Sequence, residues 1–274
     1  MNLAMGILSE YRTAGAMLAG HQRQMAGTCQ MERGFSLVEL MVAATIGAML
    51  LAGLVQVAAG ARSSFRQQEA IGELQERARF TAARLNGILR QAGFSAQPWS
   101  ASESPDAVGA WGEDGVRAHG DRVRLRTWSD RNCFGELNPF SGPSGLPAFH
   151  LKETVLELNA SGNVALTCRY GPDPDHLTTQ INRQGVIPGA ESVQALFAED
   201  SDGDGAADRW MRGGGWTDPA LIVGVQLAVL LASREVVAPI ATVSHNVLDH
   251  VVTTRDGRLR RVVTVAQAFR GRAP

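Results

Sequence analysis

Four closely spaced aspartates are the sharpest chemical signal in this 274-residue chain. Asp200, Asp202, Asp204 and Asp208 stand in the run Asp-Ser-Asp-Gly-Asp-Gly-Ala-Ala-Asp. Carboxylates at alternate positions of a tight loop can converge on one point, and hard cations such as Ca2+ take oxygen ligands in that way. Gly205 supplies the sharp turn, and the Ala206 carbonyl could add a further ligand. Counted from Asp200, the pattern matches the first nine positions of a calcium loop. The twelfth position, where a bidentate Glu belongs, is Met211, so completion needs Glu199, Glu191 or water. The competing reading is a solvated Asp/Gly turn between two strands.

Three cysteines occur, Cys29, Cys133 and Cys168, without the Cys-x-x-Cys spacing of a zinc site. If the segment holding Cys29 is removed, Cys133 and Cys168 remain as an even pair. In an exported domain such a pair reads as one disulfide; otherwise the two are buried free thiols.

A third signal is a single carboxylate, Glu39, at the head of an apolar run. From Leu40 to Ala61 no charged residue occurs. That length spans a bilayer as a helix, for which about 20 residues suffice. A cleaved secretory peptide has a shorter apolar core with its small-residue site after it. Here the small residue, Gly34, precedes the run, so the run stays in the mature chain. Arg23 and Arg33 before it and Arg62 and Arg66 after it leave orientation undecided by charge. A carboxylate at the bilayer centre costs about 2.5–3.5 kcal/mol or more. Near a helix start the macrodipole lowers that cost. A free amine on Phe35, four residues away, would lower it further, and that amine exists only if the chain is cut between Gly34 and Phe35.

The stretch Arg33-Gly34-Phe35-Ser36-Leu37-Val38-Glu39-Leu40 resembles the type IV prepilin signal. The resemblance implies that a prepilin peptidase cuts after Gly34 and methylates the amine of Phe35. It also implies that Glu39 pairs with the N-terminal amine of a neighbouring subunit in a growing filament. Residues 1–34 are then the leader. Starts at Met25 or Met31 would shorten it, the latter to Met31-Glu32-Arg33-Gly34.

Beyond the run, Ile71, Leu74, Ala78, Leu85, Ile88 and Ala92 recur at spacings of three and four, with Thr81 as the exception. Gln68, Glu69, Glu73, Glu76, Arg77, Arg84 and Arg90 occupy the other faces, and Gly93 is a C-cap. One helix from Phe35 to Ala92 is expected, residues 35–61 in lipid or a filament core and 62–95 amphipathic. It would be about 87 Å long at 1.5 Å per residue. Gly47, Gly53, Gly60, Gly72 and Gly87 either let it bend or let other helices approach.

Residues 96–147 are rich in Gly, Pro, Ser and Asp and read as loops, with one strand at Arg122–Trp128. Further strands are expected at 149–158, 164–170, 192–198, 222–232 and 260–269, with a hairpin turn at Asn159-Ala160-Ser161-Gly162. One long helix followed by strands is an α+β, pilin-like fold: a helix packed on an antiparallel sheet domain, residues 96–274. The second half resembles the PilW family of minor pilins, through Glu191–Leu196, Glu199–Arg209 and the basic strand Arg258–Val265. The resemblance implies a single-pass inner-membrane protein with a periplasmic C-terminal domain. Such a protein helps initiate a type IV pilus and enters it at the cell surface. Its partners would be other minor and major pilins, the prepilin peptidase and a pilus-tip protein. A minor pseudopilin of a type II secretion system and a membrane-anchored calcium-dependent adhesin or binding module are the alternatives.

Other chemistry is missing. The formal charge is −1, with 26 Lys and Arg against 27 Asp and Glu, and Lys152 is the sole lysine. That balance argues against bulk nucleic-acid binding, and Arg260-Arg261 is too short to argue for it. No nucleophile elbow, phosphate loop or HExxH helix occurs, so no enzyme is expected. His21, His119, His150, His176, His245 and His250 are scattered, and Trp111, Trp128, Trp210 and Trp216 read as core or sheet-face residues.

Overall fold

A computed structural model describes residues 34–94, 108–111, 120–139, 147–216 and 218–269. The leader expectations at residues 1–33, and those for Cys29 and His119, lie outside the described residues. The chain divides into two compact units, Met1–Val55 and Gln56–Pro274.

Helix α1 (Leu37–Leu89) runs unbroken for 53 residues. In the first unit its residues are exposed throughout, apart from a half-buried Gly47. An 18-residue window with mean hydropathy 2.1 makes α1 long and apolar enough to cross a membrane. The helical assignment is continuous through all five glycines, and a Cβ added at any of them meets no described atom within 4 Å.

In the second unit α1 turns one stripe inward. Ala70, Leu74, Ala78, Thr81, Leu85 and Leu89 are buried at spacings of three and four, and Ala92 continues the row. This corrects the expected stripe in two places. Ile71 is 41% exposed, and Thr81, taken as an exception, is fully buried. Its methyl group can enter an apolar seam, so a polar letter hid a core position, although its hydroxyl is buried without a hydrogen-bond partner among the described residues, at a cost alanine would not carry. Leu85 and Leu89 are both fully buried, worth about 1.5–3 kcal/mol each against exposure. The helix stops near the expected place. Gly93 holds φ +77° and donates its N–H to Arg126 O at 3.0 Å, a left-handed position that glycine takes without strain.

Among the described residues eleven strands follow: β1 (Val108–Trp111), β2 (Arg122–Ser129), β3 (His150–Leu158), β4 (Asn163–Gly171), β5 (Thr178–Pro188), β6 (Ala190–Glu199), β7 (Arg209–Met211), β8 (Ile222–Val236), β9 (Val243–Val247), β10 (His250–Thr254) and β11 (Arg258–Ala268). All six expected strands are present. Five others, β1, β5, β7, β9 and β10, were not anticipated. β5 reads Thr-Thr-Gln-Ile-Asn-Arg-Gln-Gly-Val-Ile-Pro and lies mostly exposed at a sheet edge, so it carries little apolar alternation. β1 sits inside the stretch read as loops.

The first sheet has the order β1-β2-β3-β4-β5 and the second β11-β8-β6-β7; every pairing is antiparallel. The expected turn at 159–162 closes β3 onto β4, with Asn159 N donating to Asn163 O at 2.9 Å and Gly162 at φ +69°. One core joins α1 to both sheets through Leu85, Leu89, Leu156, Leu166, Phe197, Leu227 and Val229. The opposite face of β8 presents Ala228 and Leu230 to Val247 and Val252 of the β9–β10 hairpin. Covered on both sides, β8 is a nearly continuous apolar run rather than an alternating one.

Polar contacts fix α1 against this core. Arg77 donates from Nη1 to Ala232 O at 3.0 Å and pairs with Glu73 at 2.5 Å. Lys152 Nζ donates to Gln91 Oε1 at 3.0 Å. Burial lowers the Lys152 pKa, against the opposing pull of Asp130.

Candidate functional site

The anchor end is the simplest site. Gly34 and Phe35 lie just before α1, separated from it by Ser36, and Phe35 is 82% exposed. Glu39 lies in the first turn of the helix and is exposed. A carboxylate there sits beside unsatisfied backbone N–H groups and the positive end of the dipole. Val38, Leu40, Met41 and Val42 around it are all more than half exposed. Among the described residues, then, neither the charge nor the apolar surface beside it is covered.

Cys133 and Cys168 form a disulfide, with Cα atoms 6.0 Å apart and a sequence separation of 35. Cys168 points to the inner face of β4 and Cys133 belongs to the loop after β2. The loop is held by more than sulfur. Cys133 N donates to Gln180 Oε1 at 2.9 Å, and Asn132 Oδ1 accepts from the N–H groups of Phe134 and Glu136, both at 3.0 Å. Buried Asn138 donates to Ser129 O at 2.9 Å and to Ala148 O at 2.5 Å.

The acidic loop joins β6 to β7. Oxygens of Asp200, Asp202 and Asp208 lie within 4.8 Å of one another; Asp204 is not among them. Asp200 is buried and organises the turn. Its Oδ1 accepts from Gly203 N at 2.8 Å and Asp204 N at 3.2 Å, and its Oδ2 accepts from Gly205 N at 2.8 Å. Gly203 and Gly205 hold φ +78° and +85°. Asp208 Oδ2 accepts from both the N–H (2.7 Å) and the hydroxyl (2.5 Å) of Ser201. Asp204 turns away to accept from Ala206 N at 2.7 Å.

Two carboxylates expected as completing ligands are committed elsewhere. Glu199 is 1% exposed and bound to Arg209 at 2.5 Å. Glu191 accepts from Arg258 at 3.0 Å and Arg260 at 2.6 Å. The same contacts absorb the closing basic strand, because Arg260 also pairs with Asp256 at 2.6 Å. At Asp202 the Asp204 N–H favours the carboxylate. The combined negative charge of Asp204, Asp208 and Asp200 outweighs it and raises the pKa. The Ser201 hydroxyl and N–H hold the Asp208 pKa down.

The described histidines form no metal-holding group. His150 stacks beside Tyr170 with ring centroids 5.1 Å apart, and His176 pairs with Asp173 at 2.7 Å. Trp216 packs edge-on against Phe197 at 5.1 Å, whereas Trp210 is 49% exposed on the short strand β7. Sequence reading missed Ser201 and the Leu221 carbonyl, which accepts from Asp200 N at 2.9 Å. Neither carries a positional signal before the β6–β8 pairing is known.

Comparison with known proteins bears on both ends of the chain. Residues 29–55 match the family model for the prokaryotic N-terminal methylation motif. Residues 155–270 match the model for type IV pilus-assembly protein W. A type IV-like pilin from Thermus thermophilus has a similar structure at 16% identity and a TM-score of 0.48, covering 74% of this chain and 100% of its own. No curated protein sequence matches.

Proposed function

We propose that this chain is a minor pilin that helps initiate a type IV pilus and is itself incorporated. The observation that carries the reading is the order of parts along one helix. Gly34-Phe35, then Glu39, then an uncovered apolar segment run without a break into the buried stripe of a domain matching the PilW family. An apolar helix face left bare by its own chain must be covered by lipid or by other helices. A pilin uses both in turn, as anchor and as filament core.

The physical role of Glu39 follows from where the charge sits. In lipid, an unpaired carboxylate has no good partner within its own exposed turn. Docking beside another subunit lets it meet a free Phe35 amine away from water, where the attraction is larger than in bulk solvent. Such a pair need not add net stability, but losing one partner leaves the other with its desolvation cost. Glu39 thereby sets the register of docking. The prepilin peptidase is the processing partner, and other minor pilins, major pilins and a pilus-tip protein are the assembly partners. The chain is single-pass in the inner membrane, and its C-terminal domain is periplasmic. The Cys133–Cys168 bond supports an oxidising compartment for that domain. The domain acts structurally rather than as an enzyme.

The test is Glu39→Ala in the full-length protein, read by intact mass, crosslinked co-purification and a count of pili. Mass should give an N-methylated Phe35 in parent and variant alike, while recovery with partner pilins and piliation fall. Normal association and piliation would remove the assembly role. An N-terminus upstream of Phe35 in a strain with active peptidase would remove the pilin reading itself.

A second element of the proposal is Ca2+ at the β6–β7 loop, favoured by the proximity of Asp200, Asp202 and Asp208. Asp204 would join only by turning from Ala206. Water, rather than Glu191 or Glu199, would complete the set.

A further inference from the structure

The face of the first sheet turned away from α1 carries a ladder of charge that neither the anchor nor the acidic loop uses. Arg122, Arg124 and Arg126 alternate along β2, Glu153 and Glu157 stand on β3, Arg169 on β4 and Arg183 on β5. The register places Arg126, Glu153 and Arg169 in one row across three strands. We infer that this face docks a carboxylate-rich segment of a protein partner.

Three observations carry the inference. First, the carboxylates are sunk and outnumbered. Glu153 is 1% exposed and is approached by Arg126 at 2.8 Å, Arg169 at 3.4 Å and Arg124 at 3.7 Å. Glu157 lies between Arg122 at 2.8 Å and Arg183 at 2.5 Å. A buried carboxylate needs a cation, and two would serve for both glutamates; five are present. Second, the excess charge faces outward. The side chains of Arg122, Arg169 and Arg183 are 40%, 46% and 50% exposed. They rim an open groove of about 400 Å3 floored by Val155 and Thr167. Their inner ends are braced by the glutamates, so little rotamer freedom remains to be lost on binding, and the planar guanidinium matches a carboxylate bidentately.

Third, the backbone is bent to complete the set. Arg183 holds φ +47°, a left-handed conformation uncommon outside glycine. It sits where the β4–β5 register slips, and its N–H is secured by Thr167 Oγ1 at 3.1 Å. Bulges re-aim side chains, and backbone strain of this kind concentrates where function holds it in place. Here it carries an arginine onto the ladder.

The occupant is protein rather than nucleic acid. The described lining of the groove holds no aromatic ring on which a base could stack, although Trp128 continues the Arg122–Arg126 alternation of β2 and Trp111 pairs with Arg122, and two carboxylates lie within the face. The chain as a whole carries −1. Base stacking and a dense phosphate-neutralising charge are what single-strand binding requires. The inference does not depend on the pilin reading, because the contact is defined by charge and geometry alone.

The test uses the full-length protein in a non-ionic detergent with a chelator present. Its affinity is measured at low and high salt for a capped Asp-Gly-Asp-Gly-Asp-Gly-Asp peptide and for a single-stranded oligonucleotide of equal charge. The parent should bind the peptide with a salt-sensitive affinity and bind the oligonucleotide more weakly. Arg122→Gln/Arg169→Gln/Arg183→Gln should lose at least about tenfold in peptide affinity, while Arg90→Gln, off this face, changes it less than twofold. Arg183→Gly separates binding from folding. Glycine relieves the left-handed strain, so melting should not fall, while peptide affinity drops about threefold or more. Equal affinity in the triple variant would overturn the proposal, as would tighter binding of the oligonucleotide by the parent or unchanged binding in Arg183→Gly.

Discussion

Breaking the Cys133–Cys168 bond offers the most quantitative test of how this domain is held together. The bond closes a loop of 35 residues. On the chain-entropy account, a loop of that size removes about 12.7 cal/mol/K from the unfolded chain, or about 3.8 kcal/mol at 25 °C. Domains of about 150–250 residues shift in Tm by about 2–4 °C per kcal/mol. The loss should therefore be about 8–15 °C. Two routes isolate it. Reduction of the parent removes the bond and keeps both sulfur atoms, whereas Cys133→Ala/Cys168→Ala also removes buried sulfur at Cys168, which is 3% exposed. The double variant should thus melt at or below the reduced parent. Thermal unfolding of the full-length protein in detergent, followed by near-ultraviolet circular dichroism, reads both. The hydrogen bonds donated by Asn138 and accepted by Gln180 keep the loop after β2 close to native, so the folded spectrum should change little. A fall smaller than about 3 °C on full reduction would refute the reasoning. It would mean that β3 and β4 pairing already confines the unfolded chain, or that the native bond is strained.

Three further outcomes follow from the same contacts. Calcium at millimolar concentration should raise the Tm of the parent but not that of Asp200→Asn/Asp202→Asn, since a ligand bound only by the folded state stabilises it; equal shifts would remove the metal site. Gly189→Ala should cost at least about 1 kcal/mol, seen as a lowered Tm. Its φ is +74°, and the new Cβ would come within 2.5 Å of Arg77 Nη1, which donates to Ala232 O; an unchanged Tm would show that this staple yields freely. In an NMR titration, His176 should lose its proton at higher pH than His245. The Asp173 hydrogen bond raises the first, and burial, with Arg260 nearby, lowers the second. Stability from the His176–Asp173 pair is then present between the ordinary carboxylate range and about pH 6.5, lost as pH rises through the raised His176 value and lost as pH falls through the lowered Asp173 value. The reverse order of titration would contradict the contacts.

Much of this protein is written in short stretches whose meaning does not depend on the rest of the chain. The Gly34–Phe35–Glu39 order and the charge-free run to Ala61 are local, and so is the helix they predict, because intrahelical hydrogen bonds join residues four apart. The apolar strands β3, β4, β6, β8 and β11 were legible for a related reason: they bury side chains on at least one face, and that constraint is imprinted as composition and alternation. Where burial is slight the imprint vanishes, and β5 and the β9–β10 hairpin were missed. The alternation of arginine along Arg122–Arg126 announced a strand, but not that Glu153, Glu157, Arg169 and Arg183 would share its outer face. That depends on the register of three pairings and on a left-handed residue, and neither is a property of any one segment. The acidic loop divides in the same way. Its turn is local, since Asp200 accepts from the N–H groups of Gly203, Asp204 and Gly205. Its supply of further ligands is not, because Arg209, Arg258 and Arg260 had already claimed Glu199 and Glu191 once β6, β7 and β11 were in place. Hydrogen bonds and periodicity act along the chain; competition among charges for partners is settled only in three dimensions.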